Sequence, residues 1–225
     1  MCQSFLAIDL IVLFPVERAV YLRDQASGLY VTSSFYMGRS MAELPLHLLW
    51  GFLVGVITYT MMGFQEDWGR FWIYVLNMVL ITNTGVAFLL FVGTISRDMA
   101  QGNLIGTLCL VLLTLFNGFF VNKKNIPVVF KWLGDISFLG YSVEVAVINE
   151  MTDLQLTCTS EERLQDACIA SGDIYLERLG MQDADITSLL LLTFLESVVF
   201  RLAAYFCLHF MYTGKSFAAR LKVLR

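Results

Sequence analysis

After Arg70 the chain runs to Gly93 without one charged side chain. At about 1.5 Å per residue a helix of that length covers the roughly 30 Å hydrocarbon core of a bilayer. A stretch in hydrocarbon must satisfy its backbone polar groups internally, so this one is expected to be helical and to span. Apolar runs over residues 46–62, 104–121 and 186–211 read the same way. Composition points to the same solvent: the chain is 57% hydrophobic and 15% charged, with a mean hydropathy of +0.68. That excess of apolar side chains is too large for the core of a soluble protein of 225 residues. The net charge of −4 argues against a nucleic-acid partner, and two His with five scattered Cys give no zinc or haem spacing.

The polar stretches then define the organisation. The apolar run Cys2–Val16 covers only about 22 Å, with no basic region before it and no A-x-A site after it, so residues 1–16 make a poor signal peptide. They read as a partial span, and the chain as a fragment. Residues 17–45 are amphipathic: Ala19, Leu22 and Ala26 fall on one helical stripe with Arg23 and Asp24 off it. Gly28 interrupts the pattern, and Tyr30, Phe35 and Tyr36 cluster before the next apolar run. A short helix that leaves a span and lies at the membrane surface has this pattern, and so does an ordinary surface loop. In the run that follows, Gly51 and Gly55 form a small-x-x-x-small pair that lets a neighbouring helix approach.

Residues 122–185 are acid-rich and too polar to span, except that 136–150 carry apolar residues every three to four positions. Interrupted by Gly140, Ser142 and Glu144, that segment suits a re-entrant or interfacial helix. If residues 17–45 are cytosolic, eight basic residues share their side: Arg18, Arg23, Arg39, Arg97, Lys215, Arg220, Lys222 and Arg225. Six lie opposite (Arg70, Lys123, Lys124, Lys131, Arg163 and Arg178), and the C-terminal cluster decides the orientation. The 122–185 loop is then external. Its two cysteines, Cys158 and Cys168, are either a disulfide worth about 2–3 kcal/mol or two free thiols.

Asp9, Glu196 and Arg201 are ionisable residues inside spans. Glu196 and Arg201 are five positions apart, about 140° on a helix, so Arg201 is expected to meet a carbonyl or a residue of another span. A buried hydrogen-bonded anchor is the structural reading, and a proton relay would need more aligned titratable groups. Two helix faces differ from a lipid-facing one: Phe5 with Asp9 in the first run, and Thr107, Val111 and Thr114 in the fourth. Either could pack on a neighbouring helix or line a substrate path. Gly214-Lys215-Ser216 looks like the end of a phosphate loop, but His209 stands where G-x-x-x-x-G-K-[ST] requires Gly, and the tripeptide follows a span rather than a strand. No other ATPase motif occurs in the sequence, so it is not expected to hydrolyse ATP alone.

Several short motifs in fixed order resemble the G subfamily of ATP-binding cassette (ABC) transporters: Phe14-Pro15-Val16-Glu17-Arg18, Ser27-Gly28-Leu29-Tyr30, Ser33-Ser34-Phe35-Tyr36, Leu44-Pro45, and then Ile136-Ser137, Tyr141 and Asn149-Glu150. The resemblance covers most of the chain and weakens over 152–185. It implies an all-α polytopic membrane protein, an ABC-2 type helix bundle with an extracellular loop subdomain, lacking the nucleotide-binding domain. The implied organisation is a partial span at 1–16, a cytosolic coupling segment at 17–45 and three spans within 46–121. An external loop with a re-entrant helix follows at 122–185, then a last span with a basic cytosolic tail at 186–225.

The implied function is export of lipid-like or amphipathic molecules by a homo- or heterodimer, driven by ATP and Mg in nucleotide-binding domains that are a separate partner of this chain. The membrane is expected to be the plasma membrane. By the same resemblance Phe5, Asp9, Thr107, Val111 and Thr114 would line a central cavity, Phe119 and Phe120 would close its outer end, Glu17 and Arg18 would couple it to the nucleotide-binding domain, and Cys158 would pair with Cys168. No third cysteine of that loop supports a covalent dimer. A channel or secondary transporter should show broken helices in corresponding halves, which these runs lack. A non-transporting membrane scaffold would need only the packing faces.

Overall fold

A computed structural model describes residues 31–96, 98–117, 134, 136–155, 171–181 and 184–223. Among these residues the chain forms six α-helices and no strand: α1 (Thr32–Met62), α2 (Trp68–Ile95), α3 (Met99–Leu115), α4 (Phe138–Met151), α5 (Gly172–Leu179) and α6 (Ile186–Val223). An isolated antiparallel bridge joins Gln155 to Ser171. The all-helical fold read from the apolar runs is the fold observed.

Three of these helices, α1, α2 and α6, are long and apolar enough to cross a membrane. Over their most apolar stretches α2 is 67% buried, against 11% for α1 and 22% for α6. Leu46, Leu49, Met61, Leu191, Val199 and Phe210 are all more than half exposed. Water would penalise each of those side chains by about 1.5–3 kcal/mol, and hydrocarbon removes the penalty. The protein is an integral, multi-pass membrane protein.

α1 begins at Thr32, ahead of the apolar run that starts at residue 46, and continues through Pro45. Proline removes one intrahelical donor and usually costs about 3 kcal/mol in a helix interior, but a membrane helix has no alternative backbone partner to turn to. α3 has 17 residues, about 25 Å of helix, and the described chain continues to Asn117. α4 lies within two residues of the re-entrant segment expected from the sequence and is N-capped by Ser137, whose side chain accepts from the Gly140 amide. α5 has no counterpart in the sequence reading. Ser171 caps its start and Gly180, at φ 74°, closes its end in the left-handed region.

The chain divides into two compact units. Among the described residues, one comprises 31–51, 82–96, 98–111 and 194–223. Its core gathers Tyr36, Leu90, Ala204 and Leu208, and Phe88 meets Phe200 edge-on at 5.3 Å. The other comprises, among the described residues, 52–81, 112–117, 134, 136–155, 171–181 and 184–193. Here Tyr59, Phe64, Phe71 and Tyr74 form an aromatic cluster with centroids 5.2 to 5.4 Å apart. Val145 and Ile148 of α4 pack with Leu176, Met181 and Leu189. Gly55 sits so close to α2 that a β-carbon there would lie 3.2 Å from the Val75 Cα, the close approach that a small residue permits.

Candidate functional site

α3 carries Thr107, Val111 and Thr114, the described part of the expected cavity lining. Its buried positions are Gly102, Gly106 and Leu110, one helical stripe, and these make its packing face. Val111 is exposed while Thr107 and Thr114 are half-buried, so the three lie beside the packing face rather than on it. The Thr107 hydroxyl donates to Asn103 Oδ1 at 3.4 Å, one turn back. Phe5, Asp9, Glu17, Arg18, Phe119, Phe120, Cys158 and Cys168 lie outside the described residues.

Arg201 has the partner on another span that its position demands. Its guanidinium donates to Asn83 Oδ1 at 2.5 Å, while Asn83 Nδ2 donates to Ser197 Oγ at 2.7 Å. One amide of α2 thus grips α6 at two positions a single turn apart. The Tyr36 hydroxyl adds a third tie, donating to the Arg201 carbonyl at 2.7 Å. Glu196 does not share this network: its Oε2 is buried without a hydrogen-bond partner among the described residues.

A second polar constellation surrounds the C-terminal end of α4. The last carbonyls of a helix have no intrahelical donor and must find one elsewhere. Arg70 donates from one guanidinium nitrogen to the carbonyls of Asn149 at 2.7 Å and Thr152 at 2.8 Å. Asn149 Nδ2 returns a bond to the Arg70 carbonyl at 3.0 Å. Gln65 Nε2 donates to the Glu150 carbonyl at 2.6 Å, and its backbone amide reaches the Glu150 carboxylate at 3.1 Å. Burial raises the Glu150 carboxyl above its ordinary value, against the Gln65 amide and the Arg70 charge, which both lower it. Asp67 and Asp153 stand 3.8 and 3.5 Å from the guanidinium on its wet side.

Beyond that end, the Gly172 amide donates to the Leu154 carbonyl at 2.9 Å. A β-carbon on Gly172 would fall 1.9 Å from the Met151 carbonyl oxygen, so only glycine lets α5 start there. In the sequence Asn149-Glu150 belongs to a short family-like motif and Arg70 stands just before a long apolar run. Their meeting depends on residues 79 positions apart and has no local signal.

Comparison with known proteins decides the family. Residues 1–151 match the model of the ABC-2 type transporter. The chain belongs to the ABC-2 type transporter family. The match runs through Met151, the last residue of α4, and so takes in Gln65, Arg70, Asn149 and Glu150, while Thr152 lies just past it. Relatives of this ABC-2 chain include "Protein white" of Ceratitis capitata, 30% identical over 201 residues. "ABC transporter G family member 1" of Dictyostelium discoideum is 29% identical over 172 residues. "ABC transporter G family member 4" of Arabidopsis thaliana is 27% identical over 173. These alignments cover 88%, 74% and 76% of the chain, but only 29%, 22% and 30% of the relatives. The chain spans less than a third of the length of the relatives it matches.

Proposed function

We propose that this ABC-2 chain is the membrane part of an ATP-driven exporter of lipid-like or amphipathic molecules. It works as a dimer with nucleotide-binding domains, which bind the ATP and Mg, and the plasma membrane is its site. The carrying observation is the family match over residues 1–151, together with relatives in which the aligned part is a minor share of the protein. One relative, from Caenorhabditis elegans, is named "ABC transporter ATP-binding protein/permease wht-1", and the chain aligns with 25% of it. The chain supplies helices of the permease kind, with outward apolar faces suited to lipid and no ATPase motif in the sequence.

In this reading the cavity is lined by Phe5, Asp9, Thr107, Val111 and Thr114, and closed outside by Phe119 and Phe120. Glu17 and Arg18 receive the push of the nucleotide-binding domain, because a charged pair at a wet interface supports its own span by less than about 1 kcal/mol. The disulfide Cys158–Cys168 closes the outer loop. The described stem supports it: Gln155 and Ser171 are paired, and each cysteine stands three residues in from its side of that pair.

The test is ATP-dependent uptake of a fluorescent amphipathic lipid analogue into inside-out vesicles carrying the full-length protein. Uptake that requires ATP and falls with Glu17→Ala, at unchanged membrane insertion, is expected. Uptake equal with and without ATP overturns the reading.

A further inference from the structure

α4 is held at both ends and in its middle by groups distant in sequence. At its C-terminal end the carbonyls of Asn149, Glu150 and Thr152 are taken by Arg70 and Gln65. In the middle, the fully buried Asn77 of α2 donates to the Ser142 carbonyl at 2.9 Å. At its N-terminal end the Ser137 hydroxyl reaches back to the Leu113 carbonyl at 3.4 Å. Gly140 also lies against the Asn117 backbone, its β-carbon position 3.5 Å from the Asn117 carbonyl oxygen. Leu113 and Asn117 are the end of the α3 segment.

The remaining carbonyls at this end are bonded locally. The Ile148 carbonyl is used by Thr152, that of Met151 by the Leu154 amide, and that of Leu154 by Gly172. A helix whose terminal carbonyls are all bonded to fixed groups resists fraying and sliding, because each movement would break several bonds to part-buried acceptors at once. Its apolar side is fastened as well, through Val145 and Ile148 against Leu176, Met181 and Leu189.

We propose that α4 is a rigid positioning strut, clamped by Gln65 and Arg70 at one end and seated on residues 113–117 at the other, so that the α1–α2 turn and the end of α3 move together. Arg70 is the positioning residue. It replaces the solvent that would otherwise cap the helix, and its charge suits the negative end of the α4 dipole. Distance alone would leave the turn and the end of α3 independent; the strut makes one a lever for the other. The inference stands on these contacts and does not need the export reading, so its test measures exchange rather than transport.

Hydrogen–deuterium exchange of the protein in lipid nanodiscs tests it with Arg70→Met, Arg70→Lys and Gln65→Ala. Arg70→Met should speed exchange at least about tenfold in the last turn of α4, as expected for losing even one bond from a charged donor at a half-wet helix end. The same variant should speed it at residues 113–117, with residues 194–210 unchanged. Arg70→Lys should recover part of the protection at both places. If Arg70→Met does not fold, Gln65→Ala gives the same reading on a smaller scale. Faster exchange confined to residues 65–70 and the end of α4 overturns the strut, and so does a uniform rise across every helix.

Discussion

Arg201 and Arg70 each reach a distant part of the chain, but they are held in opposite ways. Arg201, in a spanning helix, meets the side-chain amide of Asn83, which is itself tied to Ser197. Arg70, at the start of α2, meets the carbonyls of a helix end and stands near two exposed carboxylates, Asp67 and Asp153. The difference follows from the surroundings. A charge inside a span gains most from a fixed polar partner, because no water replaces a lost bond. At a half-wet helix end, water can compete for every bond, and security comes from number and mutual support instead.

The largest effect that would sharpen this contrast is at Gly172. Gly172→Ala puts a β-carbon against the Met151 carbonyl, a backbone group that must shift, and should destabilise the unit holding α4 and α5 by about 3 kcal/mol or more, read as a lowered Tm and faster proteolysis. Gly38→Ala, in the other unit, meets nothing within 4 Å and should be neutral or stabilising by up to about 1 kcal/mol. Equal effects at the two glycines would break the comparison.

Next in size is Asn83→Ala, which strands both Arg201 and Ser197 and should cost about 2–3 kcal/mol in thermal unfolding within a lipid environment. Asp153→Asn keeps a residue type that tolerates the φ of 59° found there and removes only an exposed ion pair. Its cost should stay below about 0.5 kcal/mol. A larger loss at Asp153 than at Asn83 would reverse the reading of the two arginines.

Smaller still are the pH effects, and they have opposite signs. The folded-state value of Glu150 is raised by burial, so the stability it contributes is present at low pH and lost as pH rises through that value. Asp185, which accepts from the Ser188 amide and hydroxyl at 3.0 Å, is lowered by those bonds. Its contribution is present above the unfolded value and lost as pH falls through the folded one. Unfolding followed from pH 3 to pH 8 should show each slope vanish separately in Glu150→Gln and Asp185→Ala. A Glu150→Gln protein with the parental slope would remove Glu150 from the account.

Much of the fold was legible in the sequence. The apolar runs announced α1, α2 and α6 because hydrocarbon thickness fixes how long such a run must be, and the interrupted run after Ile136 announced α4. The start of α1 was not legible, since Pro45 reads locally as a boundary while the helix runs through it from Thr32. That Arg201 would meet either a carbonyl or a residue of another span could be read from its position; that Asn83 answers it, 118 residues earlier, could not. α5 is short and polar, and its place depends on the close contact of Gly172 with Met151 rather than on any periodicity.

By itself, then, the sequence determined the solvent, the helical class and the family, because those depend on local hydrophobicity and on motifs read in order. Only the tertiary structure decided that Arg70 and Gln65 close the end of α4 and that one amide on α2 holds α6. The physical reason is that hydrogen bonds are short-ranged and directional, so their partners are chosen where helices meet and leave no periodic trace along the chain.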